Sequence, residues 1–143
     1  MYSNGFTITA IKSHGNTQFP NGAWVGQIDG YCCTGPVHTK HIAQSMAIAY
    51  LRDGGYLTSL VICLETYLSC LSNNVLTETQ KKEVVEQIAD LCPRVEKTLG
   101  APFECQGKGW LRHDAYRVFE QAKRVLGHRQ GESEEIFCGT NPR

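Results

Sequence analysis

Phe6-Thr7-Ile8-Thr9-Ala10-Ile11 places Phe6, Ile8 and Ala10 on one face and Thr7, Thr9 and Ile11 on the other. That period of two is a strand's. Turn formers follow at Ser13-His14-Gly15-Asn16 and Pro20-Asn21-Gly22, and Ala23-Trp24-Val25-Gly26-Gln27-Ile28 then reads as the return strand. A two-stranded hairpin is marginal in water, so its apolar face needs a helical cover.

The rest of the chain supplies that cover. Thr39 is a candidate N-cap for a helix with Ile42, Met46, Ala49 and Tyr50 on one face, closed by Gly54-Gly55. A second helix, about Tyr56 to Ser72, carries Leu57, Leu60, Val61, Leu64, Leu68 and Leu71. Its apolar arc is broad enough for a central position or a subunit interface. Thr77-Glu78-Thr79-Gln80 has the form of a capping box. The helix it opens, through Val84, Val85, Ile88 and Leu91, is expected to kink or end at Pro93 and to stop at Gly100. A last helix, about Leu111 to Leu126, is expected to end at Gly127.

The fold class is therefore α+β and mostly helical: an N-terminal antiparallel β-hairpin packed on about four α-helices. Residues 1–130 read as a single domain, and 131–143 as an acidic, mobile tail with Glu132, Glu134 and Glu135. The expected core is Phe6, Ile8, Trp24, Ile28, Met46, Leu60, Leu64, Val84, Ile88, Phe119 and Val125.

Lysine and arginine total 14, as do aspartate and glutamate, so the net charge is zero and a globally basic nucleic-acid binder is excluded. The balance is a cancellation. Residues 1–76 hold only Lys12, Lys40, Arg52, Asp29, Asp53 and Glu65 among charged residues. Between Lys108 and Arg129, six cations stand against Asp114 and Glu120, a net of +4. Arg117, Gln121, Arg124 and His128 recur at four, three and four, one stripe of a helix whose apolar residues lie on another face. That stripe can contact an acidic protein surface or phosphates, and an ordinary solvated face has the same pattern.

The N-terminus has neither a basic nor an apolar leader region, so no signal peptide is expected. Seven cysteines cannot all pair within one chain, and reduced thiols in a cytoplasm are the simplest reading. No membrane association is expected, because Tyr56 to Leu71 is short and carries Glu65.

Cys32, Cys33, His38 and His41 put two thiols and two imidazoles within ten residues, ligand types that suit tetrahedral zinc. Adjacent cysteines diverge along an extended chain, however, and structural sites usually space their ligands as C-x-x-C. Buried cysteines and a histidine at a helix N-terminus account for the same residues without an ion. The enzymatic version takes Cys33 as nucleophile, His113 as base and Asp114 or Asp29 as orienter. No catalytic residue is assigned, and zinc is the one cofactor left open.

The tract Ala47-Ile48-Ala49-Tyr50-Leu51-Arg52-Asp53-Gly54-Gly55-Tyr56-Leu57, with the terminal helix from Trp110 to Leu126, resembles small uncharacterised proteins of bacterial prophages and satellite phages. The resemblance covers about the last two thirds of the chain. It implies an accessory or host-interaction role in bacterial cytosol, and it identifies no site.

The leading expectation is a cytoplasmic, non-enzymatic binding protein, regulatory or inhibitory, acting through an exposed helix face on a host or rival protein. The alternatives are nucleic-acid binding through the basic stripe, and a zinc-binding or Cys/His enzyme. The leucine stripe of the second helix also admits a homodimer.

Overall fold

A computed structural model describes residues 2–73 and 75–138, with the side chains of the last helix described as far as Gly127. The protein is α+β: a four-stranded antiparallel sheet followed by four helices. The strands are β1 (Tyr2–Ser3), β2 (Phe6–Lys12), β3 (Trp24–Ile28) and β4 (Tyr31–Cys32), in that order across the sheet. The helices are α1 (Lys40–Arg52), α2 (Gly55–Leu71), α3 (Glu78–Leu99) and α4 (Gly109–Cys138), with a 3₁₀ turn at Phe103–Gln106.

The expected hairpin is β2–β3, in register Ile8 to Ile28 and Ala10 to Gly26. Each strand then turns once more. Asn4 and Gly5, at φ 51° and 86°, join β1 to β2, and Asp29 and Gly30, at φ 48° and 82°, join β3 to β4. Both are two-residue hairpin loops whose two central residues must take positive φ, which Asn-Gly and Asp-Gly tolerate. Asp29 also fixes the register, since its Oδ1 accepts from the Thr7 N–H at 2.8 Å.

The outer edge of β3 is closed by its own loop. Trp24 and Val37 exchange two backbone hydrogen bonds, at 2.8 and 3.0 Å. The Gly26 N–H donates to Thr34 Oγ1 at 2.7 Å, and the Cys33 N–H donates to the Gly26 carbonyl at 3.0 Å. Ile28 pairs with Tyr31 of β4.

The chain divides into two compact units, Met1–Leu57 with Ala101–Gly109, and Thr58–Gly100 with Trp110–Arg143. In the first unit the sheet packs on α1. Phe6, Ile8, Ile28, Ala43, Ala47 and Leu51 are buried, with Tyr56 edge-on to both Phe6 and Tyr31 at centroid distances of 6.0 and 5.6 Å. The 3₁₀ turn belongs to this unit. Asn4 Nδ2 donates to Glu104 Oε1 at 3.3 Å, and Arg52 pairs with Glu104 at 3.4 Å.

Helix α1 begins where the sequence places it, with Thr39 Oγ1 accepting from the Ile42 N–H at 3.1 Å. Its buried face is Ala43, Ala47 and Leu51, one residue round from the expected one. Ile42 and Met46 are 45% and 43% exposed. The cause is the close approach of helix and strand: a Cβ built on Gly26 would stand 2.4 Å from the Ala43 carbonyl oxygen. The small Ala43 and Ala47 are buried on this face with Leu51, and Ile42 and Met46 face outward.

In the second unit, Leu60, Val61 and Leu64 of α2, Ile88, Leu91, Val95 and Leu99 of α3, and Leu111, Val118, Phe119 and Ala122 of α4 are buried. Helix α3 opens with the full capping box: Gln80 N–H donates to Thr77 Oγ1 at 3.2 Å, and Thr77 N–H donates to Gln80 Oε1 at 2.9 Å. It passes through Pro93 without ending, and buried Val95, Thr98 and Leu99 beyond the proline outweigh one lost backbone bond. Helix α4 also runs past its expected end. Gly127 does not adopt the left-handed conformation that stops a helix, and helical backbone continues to Cys138, into the stretch expected to be a tail. Of the other expected core residues, Trp24, Val84 and Val125 are half-buried. Among the described residues, no single helix is long and apolar enough to cross a membrane.

Candidate binding groove

The residues with a chemical role to fill lie in the second unit, along the seam of α2 and α4. On α2, Glu65, Leu68 and Ser69 are spaced by three and one and therefore share a face, which Ser72 extends just beyond the helix end at Leu71. On α4, Arg117, Gln121, Arg124 and Val125 do the same. With Leu71 and with Lys81 from the first turn of α3, these residues line an open groove of about 760 Å³. Its wall is apolar at Leu68, Leu71 and Val125, all half-buried, and polar at Gln121 and Ser69, both exposed. This is the size of a site that takes a small ligand or the anchor side chains of a docked segment.

The charges in the groove are not equivalent. Arg117 lays Nη2 and Nε on one oxygen of Asp114, at 2.6 and 3.0 Å, and Nη2 also lies 3.7 Å from Glu65. The hydrogen bonds it donates to Asp114, and that carboxylate's charge, raise the Arg117 pKa further, so this guanidinium is an internally paired cation that links α4 to α2. Lys81 sits 3.5 Å from Glu78 on its own helix. Arg124 is exposed and forms no ion pair among the described residues. It is the cation the groove presents outward.

Three of the four stripe residues, Arg117, Gln121 and Arg124, are thus brought together on the groove. The fourth, His128, lies on α4, but its side chain is outside the described residues. Glu65, Leu68, Leu71 and Lys81 went unassigned in the sequence. They come from other helices, and no local spacing links them to the stripe.

The cysteine–histidine cluster does not assemble. Among the described residues, no three His, Cys, Asp or Glu side chains group so as to hold a metal ion. Cys32 and Cys33 face opposite ways, as successive residues on an extended chain must. Cys32 is exposed and accepts from Gln27 Nε2 at 3.4 Å, whereas the Cys33 thiol donates to the Gly26 carbonyl at 3.5 Å. The His38 ring packs on Phe19 with centroids 4.7 Å apart, and His41 is exposed in the first turn of α1. Among the described residues, the set left open for zinc therefore does not fit the ion.

Burial, with a smaller contribution from Cys32, pushes the Cys33 thiol up to about 11. A thiol so protonated at neutral pH is a poor nucleophile. Both proposed orienters are engaged elsewhere, Asp29 on the Thr7 N–H and Asp114 on Arg117.

No protein-family model, no curated protein and no solved structure matches the chain.

Proposed function

We propose that the protein is a small cytoplasmic, non-enzymatic binding protein, a regulatory or inhibitory accessory factor of a bacterial mobile element. Its groove takes an acidic, amphipathic segment of a host or rival protein. The observation that carries this reading is Arg124, exposed and without an ion pair among the described residues, beside the apolar wall of Leu68, Leu71 and Val125. A carboxylate on Arg124 and an aliphatic side chain on that wall are what one face of an acidic amphipathic helix offers together.

The same geometry disfavours the nucleic-acid reading. A phosphate backbone rewards an uninterrupted row of cations. Here Glu65 stands in the wall, and Arg117 is neutralised by two carboxylates.

The test is a titration of isotope-labelled protein with a synthetic amphipathic helix bearing glutamates beside leucines, followed by amide shifts. Shifts are expected at Leu68, Leu71 and Val125, and they should vanish in a folded Arg124→Glu variant. No shift, or shifts indifferent to the charge reversal, overturns the reading. Tighter binding of duplex DNA, falling steeply with salt, replaces it with the nucleic-acid alternative.

A further inference from the structure

We infer that the free edge of β2 is a pairing surface for a second copy of this chain, the two β2 strands running antiparallel about a two-fold axis at Ile11. The inference is independent of the groove and lies wholly within the first unit.

Along a strand, successive residues turn their backbone N–H and C=O to opposite sides. On β3, Trp24 and Gly26 bond to Val37, Thr34 and Cys33, on the side away from β2. Their cross-strand neighbours, Lys12 and Ala10, therefore point their own N–H and C=O away from β3. On that side lies β1, but it reaches only Phe6 and Thr7. Among the described residues, no backbone partner meets Ala10 or Lys12 there.

Proteins commonly blunt such an edge with a lysine. Lys12 does not cover this one. Its Nζ lies 5.8 Å from the centroid of the Trp24 ring, and a Cβ on Gly22 would stand 3.1 Å from its Cε, so its stem lies back over the β2–β3 hairpin. Between the open groups, Ile11 is 49% exposed on the outer face of the sheet, across from half-buried Val25.

The register follows by elimination. A two-fold axis makes the paired strands antiparallel, with each contact repeated in reverse. Centring on Ala10 would set Ser13 of the other copy, still bonded to Ala23, against Thr7, where Tyr2 already lies. Centring on Lys12 would set the two lysines face to face, a repulsive pair. Centring on Ile11 lets Ala10 of each copy exchange N–H and C=O bonds with Lys12 of the other, and Ser13 then faces Thr9, clear of β1. The two Ile11 residues meet at a non-hydrogen-bonded position, where Cα atoms stand about 4.5 Å apart and side chains touch. Val25, Ile11 and their two-fold mates form one apolar row across a continuous sheet. With the outer edge of β3 closed and β1 only 2 residues long, the pairing ends at two copies and does not run on as a fibre.

Sedimentation equilibrium on the full chain tests this, with wild type, Ile11→Lys, Ala10→Pro and Arg124→Glu. Wild type is expected to dimerise. Ile11→Lys sets two ammonium groups against each other on the axis, and Ala10→Pro removes the outward N–H, a loss that an edge strand tolerates; each should weaken association by about tenfold or more. Arg124→Glu, in the groove, should leave it unchanged. Circular dichroism checks the folding of each variant, and should Ala10→Pro fail there, Ile11→Lys decides, because that side chain is exposed.

Cross-linking reads the register. With oxidised glutathione, Ile11→Cys should give a dimer whose tryptic fragments carry the 11–11 bridge, since Cα atoms about 4.5 Å apart are within disulfide reach, and Thr9→Cys should give no 9–9 bridge. A wild type that stays monomeric, a dimer indifferent to Ile11→Lys, or a dimer that Arg124→Glu dissolves overturns the inference. A 9–9 bridge in place of the 11–11 bridge does so as well.

Discussion

Replacing Gly26 with alanine should unseat α1 from the sheet. An added Cβ would lie 2.4 Å from the Ala43 carbonyl oxygen, 3.0 Å from Thr34 Cγ2 and 3.1 Å from the Ala43 carbonyl carbon. Ordinary contact begins near 3.4 Å, so the helix backbone must withdraw by 1.0 Å, the difference between 3.4 and 2.4 Å. Two of the three atoms met are backbone, which cannot rotate aside as a side-chain tip can. Overpacking of this kind costs about 1–3 kcal/mol. Alanine recovers part of it, because glycine is the poorer strand residue by roughly 0.5–1 kcal/mol. The net expectation is a loss of about 1–2 kcal/mol, a urea midpoint lower by roughly 0.5–1 M for a domain of this size. Gly35→Ala is the control, since a Cβ there meets nothing within 4 Å. Urea unfolding followed through Trp24 fluorescence, in a Trp110→Phe background, reports on this unit. Equal midpoints for Gly26→Ala and wild type, or equal losses at Gly26 and Gly35, would refute the close-approach account.

Thr77→Ala removes one arm of the capping box on α3 and should cost about 1 kcal/mol, while Thr77→Ser restores most of it; thermal unfolding of the three proteins decides this. Alkylation should separate the adjacent cysteines. Exposed Cys32 reacts at neutral pH, whereas Cys33 becomes labile only as the pH approaches about 11, and mass spectrometry of the tryptic fragments reads both. The sign for stability follows from the raised thiol value. Below the unfolded-state value near 9 the buried neutral thiol's contribution is fully present, and it is lost as pH rises through about 11. A Cys33→Ser variant should therefore lose stability less steeply than wild type across that window.

Features written in short-range chemistry were legible, and those set by distant steric fit were not. Thr39 and the Thr77–Gln80 pair announce helix starts because a cap is made by residues three apart. Strands β1 and β4 escaped because two residues carry no periodicity. The Asn4-Gly5 and Asp29-Gly30 dipeptides were the signal that could have revealed them. The face of α1 was misjudged by one position because apolarity ranks Ile42 and Met46 above Ala43 and Ala47. The Ala43 backbone approaches Gly26 closely, and it is Ala43 and Ala47 that are buried. Pro93 and Gly127 are breakers by propensity, and neither interrupts its helix. At the groove, the Arg117–Gln121–Arg124 spacing was readable along one helix, while Glu65 and Lys81 reach it from two others. That Arg117 is neutralised, leaving Arg124 as the cation presented outward, owes most to Asp114, three residues earlier on the same helix, with Glu65, 52 residues away in sequence, adding a longer contact.

The closed outer edge of β3 bears on how the protein behaves in a crowded cell. An unpaired strand edge is a template on which another chain's strand can add, the first step of sheet-driven aggregation. Trp24, Gly26 and Ile28 offer no such template, because Val37, Thr34, Cys33 and Tyr31 already occupy their outward hydrogen-bonding groups. The segment Tyr31–Val37 is thus a guard as well as a connection. Loosening it, for instance by removing the Thr34 hydroxyl that holds the Gly26 N–H, would show first as insoluble protein during expression rather than as a change in binding.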